Sequence, residues 1–350
     1  MSASPRTAGI AGLGSCLGER VLTNADLERM VETSDEWIRE RTGILRRHIL
    51  GPGQATSDLV LGAAGQALDR AGVDPAGLDL ILVATVTPDH PFPSTACLVQ
   101  ERLGARRAAA FDLQAACSGF IYGLVVADRF IASGAVRTAL VVGAESLSRI
   151  TDYQDRRTCV LFGDGAGAAV VRAAAPGYGI LGSHLGSDGS GGHLLFQPAG
   201  GSRLPASAET VAQRLHYVQM NGSEVFKQAV RVMDEAAGLA LKAAGLRKED
   251  VDLMVPHQAN LRIVDAVARR MGMAAERVMV NLDECGNMSS ASVPVALDQA
   301  VREGRIRRGD VVLLVAFGAG LTWGSVVLRW EGAPGEGKEE ESSGQGRNHS

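Results

Sequence analysis

The chain has 350 residues, which is more than one hydrophobic core usually serves, so two core units are expected. Its net charge of −4 argues against a nucleic-acid binder, and no apolar run is long enough to span a membrane. Five cysteines without paired spacing argue against a disulfide scaffold and predict a cytoplasmic protein, as does the absence of a signal pattern. No Cys or His pair has metal-ligand spacing, so no metal site is predicted.

Apolar periodicity predicts helices that alternate with buried strands along the whole chain. In chain order the pattern predicts a helix over 61–68, strands over 80–86 and 108–113, a helix over 120–133, a strand over 140–142, a helix over 226–241, a strand over 253–255, a helix over 261–271, a strand over 278–282, a helix that begins near Pro294, and a strand over 311–315. Such alternation predicts a layered α/β fold with largely parallel sheets.

Two parts of the chain repeat the same design. Residues 71–83 have the pattern of a helix end, a turn and a buried strand, and residues 244–255 repeat it 173 positions later. A second pair of matching segments, 133–143 and 303–316, keeps the order and nearly the same offset. Helix–turn–strand units resemble one another in many α/β proteins, but two matched pairs favour an internal duplication.

The duplication gives predicted domain boundaries. The first half covers residues 1–175 and the second half covers 176–330. Residues 331–350 contain no Val, Ile, Leu or Phe and are rich in Gly, Glu and Ser. We therefore predict that this last segment is a disordered tail with no part in catalysis.

Cys117 is the candidate nucleophile. It lies between the predicted strand 108–113 and an apolar helix, so its thiol is expected at a strand-to-helix corner near a helix N-terminus. The unpaired N–H groups there favour the thiolate and predict a lowered pKa. The alternative is a small buried apolar residue. That alternative is the prediction for the other four cysteines, Cys16, Cys97, Cys159 and Cys285.

His257 and Asn287 are candidate hydrogen-bond donors. His257 follows the strand 253–255, and the carboxyl ends of strands are where α/β sheets commonly build their sites. Asn287 lies in a loop just ahead of a helix, where an ordinary turn asparagine is the alternative. Both side chains donate hydrogen bonds while neutral, which suits a reaction that develops negative charge on oxygen. The loop 317–321 follows a buried strand and offers backbone N–H groups for an oxyanion hole.

The segments around Cys117, His257 and Asn287 together resemble the active site of β-ketoacyl-acyl-carrier-protein synthase III. This is the condensing enzyme that starts type II fatty-acid synthesis, and it belongs to the thiolase-like superfamily. The resemblance covers roughly residues 8–330. Further matching segments are 33–38, 41–44, 162–167, 184–189 and 322–324. The resemblance implies a thiolase-like fold, in which two duplicated βαβαβ halves form five layers in the order α-β-α-β-α.

The third catalytic residue, here Asn287, distinguishes the enzyme classes of the thiolase-like superfamily. Cys-His-Asn is similar to synthase III, whereas elongating synthases use Cys-His-His, thiolases add a second Cys, and hydroxymethylglutaryl-CoA synthases add a Glu. The resemblance implies that an acyl-CoA loads Cys117 and that malonyl-acyl-carrier protein then loses CO₂, with His257 and Asn287 donating to its thioester oxygen. The backbone N–H groups of Cys117 and Ala319 are implied as the oxyanion hole. No metal or redox cofactor is implied.

The resemblance also implies binding residues. The coenzyme A contacts are Trp37, Arg41, Arg156 and Asn260. The carrier-protein contacts are Lys227, Arg262, Arg269 and Arg270. A solvated helix face is the alternative for Arg269 and Arg270, as a surface ion pair is for Arg41 and Arg156. The implied acyl-pocket residues are Leu147, Phe162, Leu321 and, from the partner subunit of a homodimer, Phe92. The bulk of Phe92 predicts short primers.

Two positions of the sequence depart from the pattern of the family. Ala319 stands where many relatives have Gly, and Leu321 replaces a Phe of some members.

Three other functions are alternatives to the synthase. A ketosynthase that primes polyketide synthesis is similar in all three catalytic residues. A thioester hydrolase explains Asn287 poorly, and a non-catalytic subunit is expected to have lost Cys117 or His257.

Overall fold

The computed structural model describes residues 7–332, so the predicted tail lies outside the described residues except for its first two positions. The strands are β1 (Ala8–Leu17), β2 (Arg20–Thr23), β3 (Arg46–Ile49), β4 (Leu80–Ala84), β5 (Ala109–Leu113), β6 (Thr138–Ser146), β7 (Asp164–Ala173), β8 (Gly179–Ser187), β9 (Leu195–Phe196), β10 (Gln219–Met220), β11 (Leu253–Pro256), β12 (Val311–Gly318) and β13 (Thr322–Arg329). The helices are α1 (Asn24–Glu28), α2 (Asp35–Thr42), α3 (Thr56–Ala71), α4 (Thr95–Leu103), α5 (Gly119–Ala132), α6 (Ala208–Ala212), α7 (Gly222–Ala244), α8 (Leu261–Met271), α9 (Leu282–Cys285) and α10 (Ser292–Arg302). None of the helices in this part of the chain is long and apolar enough to cross a membrane.

Two sheets and three helical layers form the core. The first sheet has the order β1-β7-β6-β4-β5, and the second has the order β11-β12-β13-β8. Helices α5 and α10 contact strands of both sheets, so they form the central layer. Helices α3 and α4 cover the outer face of the first sheet, and α7, with α8 alongside it, covers the second. The predicted α-β-α-β-α architecture is confirmed.

The two sheets are built alike. In the first, β4 pairs in parallel with β6, and β7 and β1 follow antiparallel. In the second, β11 pairs in parallel with β12, and β13 and β8 follow antiparallel. Both repeated segments of the sequence occupy equivalent places in these sheets, which supports a duplication. The predicted boundary at residue 175 falls between β7 and β8, and it stays a prediction.

The duplication extends to the turns that precede the central helices. Single 3-10 turns cover 116–118 before α5 and 289–291 before α10. Each begins with a residue in the left-handed region, Ala116 at φ 44° and Ser289 at φ 45°, 173 positions apart. Residues with a Cβ rarely adopt this conformation, and where they do the strain often marks a functional site.

Two predictions about the strands are wrong. The sheets are mixed rather than largely parallel, because β12 and β13 are joined by only three residues and such a short connection allows only antiparallel pairing. The predicted strand 278–282 is reduced to one parallel bridge between Val278 and Met254, and α9 begins at Leu282. Val278 nevertheless lies where β5 lies in the first sheet, beside the strand that corresponds to β4.

Candidate active site

Cys117 lies at the predicted strand-to-helix corner. Cys117 is in the 3-10 turn between β5 and α5, and it is 9% exposed. The backbone of β12 passes very close to it, because a Cβ added to Gly318 would lie only 2.6 Å from the Cys117 backbone nitrogen. Glycine at position 318 therefore allows the end of β12 to approach the nucleophile turn.

The expectation of a lowered Cys117 pKa is not met. The pKa of its thiol is raised to about 12, mainly by burial and also by the nearby Glu145 carboxyl, although the Ser289 side chain acts in the opposite direction. A buried thiolate without a cationic partner is costly, and the short turn before α5 does not outweigh that cost. The thiol therefore needs a neighbouring group that takes its proton.

His257 follows β11 directly, as predicted. Its backbone N–H donates to the Val315 carbonyl of β12 at 2.8 Å, and the residue is 3% exposed. Burial lowers the pKa of His257 to about 3, so the ring is neutral and can donate one hydrogen bond. Its Nδ1 atom has no hydrogen-bond partner among the described residues.

Asn287 is held by backbone contacts on both sides and through its side chain. Its backbone N–H donates to Leu161 and its carbonyl accepts from Gly163. The Ser289 backbone N–H donates to Asn287 Oδ1 at 2.8 Å, which leaves the Nδ2 amide as the free donor. The alternative of an ordinary turn asparagine explains the Ser289 contact, but not the position of Asn287 on a cavity wall.

Two cavities meet at Cys117. The first has a volume of about 140 Å³, and Cys117, His257 and Asn287 all line it. The second has a volume of about 640 Å³, and Cys117 and Ala319 both line it. The three predicted catalytic residues, which are far apart in the sequence, are thus brought together, and Ala319 shares the second cavity with Cys117.

Relatives of this chain were identified by sequence and by structure. A family described as 3-oxoacyl-[acyl-carrier-protein] synthase III matches residues 111–189, and the C-terminal part of that family matches 241–330. The chain is 62% identical over 325 residues to a β-ketoacyl-[acyl-carrier-protein] synthase III of Symbiobacterium thermophilum, covering 93% of this chain and 98% of the relative. The chain belongs to the β-ketoacyl-acyl-carrier-protein synthase III family. It is therefore a condensing acyltransferase with the thiolase-like fold.

Solved structures agree with this family. The synthase III of Thermus thermophilus is 51% identical, with a TM-score of 0.87 and coverage of 93% of this chain and 100% of that one. A priming β-ketosynthase of the R1128 polyketide pathway is 37% identical, with a TM-score of 0.86 and coverage of 95% and 99%. The chain is more similar in sequence to the β-ketoacyl-[acyl-carrier-protein] synthases III than to the polyketide enzyme, which makes the polyketide alternative the less supported one.

Trp37 and two arginines predicted to bind coenzyme A form one cluster in this synthase III chain. Trp37 and Arg41 are four residues apart on α2 and so share a face. The Arg41 and Arg156 guanidinium carbons lie 5.7 Å and 5.3 Å from the centre of the Trp37 ring. Neither arginine is in a salt bridge within residues 7–332, so the ion-pair alternative is not observed.

Asn260 connects that cluster to the first cavity. Its side chain caps α8 by accepting from the Arg262 backbone N–H at 2.9 Å, and its amide donates to the Arg41 carbonyl at 2.9 Å. Asn260 also lines the first cavity. The Asn260 side chain therefore contacts the end of α2 and the start of α8, and it also lines the first cavity.

The predicted carrier-protein residues lie on two neighbouring helices. Lys227 on α7 pairs with Glu224 at 2.7 Å, and Arg262 on α8 stacks over Phe226, which lines the first cavity. Arg269 and Arg270 lie in the last turn of α8, more than one helical turn from Arg262. All four are exposed.

The predicted acyl-pocket residues are only partly brought together. Leu147 and Phe162 line the second cavity. Leu321 is buried but is not among the residues that line either cavity, and it lies where a Cβ on Gly191 would be. Phe92 is 85% exposed and is not among the residues that line either cavity.

Two residues of the site were missed from the sequence. Glu145, near the end of β6, is fully buried, and Ser289 donates to its Oε1 atom at 2.9 Å. A charged residue at the end of an otherwise apolar strand was a signal that could have been noticed. Ser289 carries no such signal, because its role depends on a turn that brings distant residues together.

Proposed function

We propose that the chain catalyses the decarboxylative condensation of an acyl-CoA primer with malonyl-acyl-carrier protein, which gives a 3-ketoacyl-acyl-carrier protein, CO₂ and coenzyme A. The observation that carries this proposal is the convergence of Cys117, His257 and Asn287 on one cavity. A nucleophile beside two neutral hydrogen-bond donors suits acyl transfer followed by formation of an enolate. A hydrolase has no comparable use for the Asn287 amide.

In the first stage the Cys117 sulfur attacks the primer thioester and coenzyme A leaves. The backbone N–H groups of Cys117 and Ala319 are the proposed oxyanion hole. The close approach of Gly318 to the Cys117 nitrogen supports this, since it brings the two backbone segments together. Donors already held in place stabilise the oxyanion without reorganisation.

In the second stage malonyl-acyl-carrier protein loses CO₂. The neutral His257 ring and the Asn287 amide donate to the thioester oxygen as it gains negative charge. The lowered His257 pKa and the fixed Asn287 Oδ1 atom support these roles, because both side chains then keep a donor available. The carbanion attacks the acyl group on Cys117. All residues needed for these steps belong to the chain, and no cofactor is part of the proposal.

The proposed coenzyme A site is the cluster of Trp37, Arg41 and Arg156, with Asn260 leading toward Cys117. An aromatic ring flanked by two guanidinium groups that form no salt bridge within residues 7–332 suits a ligand that carries both a base and phosphates. The proposed contacts for an acidic carrier protein are Arg262, which stacks over Phe226 of the first cavity, Lys227 on α7, and Arg269 and Arg270 further along α8.

The proposed primer site is the second cavity, beside Cys117, and the proposed assembly is a homodimer. Phe92 and the edge strand β5, whose Phe111 is 40% exposed, offer apolar surface to a second copy. Phe92 of that copy closes the primer site in this proposal, which favours short acyl groups. The five free thiols are compatible with the reducing cytoplasm.

The test compares two half-reactions. Intact-protein mass after exposure to acetyl-CoA should show one acetyl group on Cys117, and lauroyl-CoA should label the protein poorly. Decarboxylation of malonyl-acyl-carrier protein should survive Cys117→Ala but fall by about two orders of magnitude in Asn287→Ala, as for loss of one oxyanion donor. Equal loss in both variants, or efficient lauroyl labelling, would contradict the proposed roles or the short primer, respectively.

A further inference from the structure

The proposed first stage leaves the destination of the Cys117 proton open. The thiol is buried, and burial has raised its pKa. His257 is a poor proton acceptor, since burial has lowered its pKa to about 3. A general base works best when its pKa lies near the working pH. Another group beside the thiol is therefore needed.

Glu145 lies behind Ser289, and Ser289 lies beside Cys117. The Ser289 hydroxyl donates to Glu145 Oε1 at 2.9 Å, and the turn 289–291 that holds Ser289 packs against the turn 116–118 that holds Cys117. Cys117 and Ser289 line the same cavity, whereas Glu145 is completely buried behind it. A hydroxyl that donates to the carboxylate still has lone pairs that can accept a proton from the thiol, so Ser289 stands between the two groups as a possible path for that proton.

The surroundings of Glu145 hold its carboxylate without neutralising it. Its Oε2 atom accepts from the Thr87 hydroxyl at 2.7 Å and from the Val86 backbone N–H at 3.1 Å, in the loop after β4. Its Oε1 atom accepts from Ser289 and from the Ser290 hydroxyl at 3.1 Å, in the turn before α10.

No cation faces Glu145 within residues 7–332. On the neighbouring strand β7 the residue opposite is Gly165, which has no side chain. From the turn before α5, the titratable group that faces Glu145 is the Cys117 thiol. The two groups therefore compete for one negative charge, and they are coupled through Ser289.

We propose that Glu145 is the store for the Cys117 proton, with the Ser289 hydroxyl as the relay. This rests on the proposed function. When Cys117 attacks the primer, its S–H bond breaks and the proton goes to Ser289 Oγ, while the Ser289 proton goes to Glu145 Oε1. The sulfur electron pair forms the bond to the acyl carbon. The coenzyme A thiolate departs and takes its proton from water.

The proton returns in the second stage. When the carbanion has attacked the acyl carbon, the carbon–sulfur bond to Cys117 breaks and leaves a thiolate. Glu145 gives its proton back through Ser289, which restores the thiol. Glu145 is thus neutral while the enolate forms nearby, so no second negative charge opposes decarboxylation. The cycle as a whole takes up one proton, on coenzyme A, as the overall reaction requires.

The pH dependence of Cys117 acylation tests the relay. Burial raises the pKa of Glu145 to about 7, and only the carboxylate form accepts a proton. The single-turnover rate with saturating acetyl-CoA, followed by intact-protein mass, should therefore rise with pH through a midpoint near 7. In Glu145→Gln and in Ser289→Ala the rate at pH 8 should fall about 100-fold, and that midpoint should disappear.

Two control variants separate the relay from general damage. Ser290→Ala also removes a hydrogen bond to Glu145 Oε1 but not the link to Cys117, so it should keep the midpoint, moved to higher pH. His257→Ala should keep the midpoint near 7. A midpoint that persists in Glu145→Gln, or one that vanishes in His257→Ala, overturns the relay.

An independent measurement uses the wild-type chain, in case a variant fails to fold. The single-turnover acylation rate in mixtures of H₂O and D₂O should depend on the deuterium fraction along a curve, since the Cys117 proton and the Ser289 proton move in the same step. A linear dependence, as for transfer of one proton, overturns the relay and leaves the proposed function intact. Failure of the wild-type chain to acylate at all would instead refute the proposed function.

Discussion

At the scale of single residues, Glu145 is unusual because the fold keeps a carboxylate where no cation of residues 7–332 forms a salt bridge with it. Five protein groups donate hydrogen bonds to its two oxygens, yet burial raises its pKa to about 7 from the ordinary value of 4.5. The native state therefore binds this proton more tightly than the unfolded chain does. The contribution to stability is full below pH 4.5 and is lost as pH rises through 7.

We expect Glu145→Gln to stabilise the chain in alkaline solution. At pH 8 the wild type holds a buried charge that the variant lacks, so the free energy of unfolding should rise by roughly 1–3 kcal/mol, given about 1.4 kcal/mol per pKa unit. At pH 4.5 the two chains should differ little, because the carboxyl is then largely protonated in the folded state and half protonated in the unfolded chain. Chemical denaturation at both pH values measures this, with Ser290→Ala as the control that keeps the charge. A variant less stable at pH 8 than the wild type would contradict the expectation.

At the scale of elements, Asn260 is where the cap of α8 and the end of α2 meet. Asn260→Ala removes both contacts and should destabilise the chain by about 1 kcal/mol, as for loss of other N-cap residues. Asn260→Asp keeps the acceptor for the Arg262 N–H but cannot donate to the Arg41 carbonyl. It should therefore retain stability.

The two variants should share one functional defect. Both lose the contact that fixes Arg41, so the KM for acyl-CoA should rise about fivefold in each, corresponding to roughly 1 kcal/mol for one hydrogen bond. Steady-state kinetics and thermal unfolding of both variants check this. A KM that is unchanged in Asn260→Asp would show that the contact with Arg41 does not position the coenzyme A site.

At the scale of the whole molecule, the edge strand β5 is the proposed contact between two copies. Phe111→Lys places a charge on that edge and should convert the dimer to a monomer, as read by light scattering after gel filtration. Phe130→Lys on α5 is a matched control, since Phe130 is 38% exposed and Phe111 is 40% exposed. The control should stay dimeric. A monomeric wild type, or dissociation only in Phe130→Lys, would refute the proposed contact.

Much of the fold could be predicted from the sequence, because burial leaves a periodic pattern. The strands β4, β11 and β12 and the helices α7 and α8 followed from apolar spacing, and the duplication followed from matched segments. Val278 could not be placed correctly, since a strand and a single bridge share the same apolar pattern. Strand direction also escaped the pattern, because it depends on connection length and on pairing partners.

The site was predictable only in part. Cys117, His257 and Asn287 could be named because each follows a recognisable strand or motif. The pKa of Cys117 was predicted wrongly, since the sequence showed the helix N-terminus but not the depth of burial or the nearby Glu145. The relay through Ser289 depends on a contact across the two halves, and neither half alone carries a sign of it.

The single bridge at Val278 has a consequence for how copies of this chain can associate. A full strand there would give the second half an edge equivalent to β5, and β5 of one molecule could then pair with that edge of the next. Such head-to-tail pairing does not close and can grow into filaments. With the strand reduced to one bridge, that head-to-tail partner is missing, and the proposed homodimer through two copies of β5 is the closed alternative.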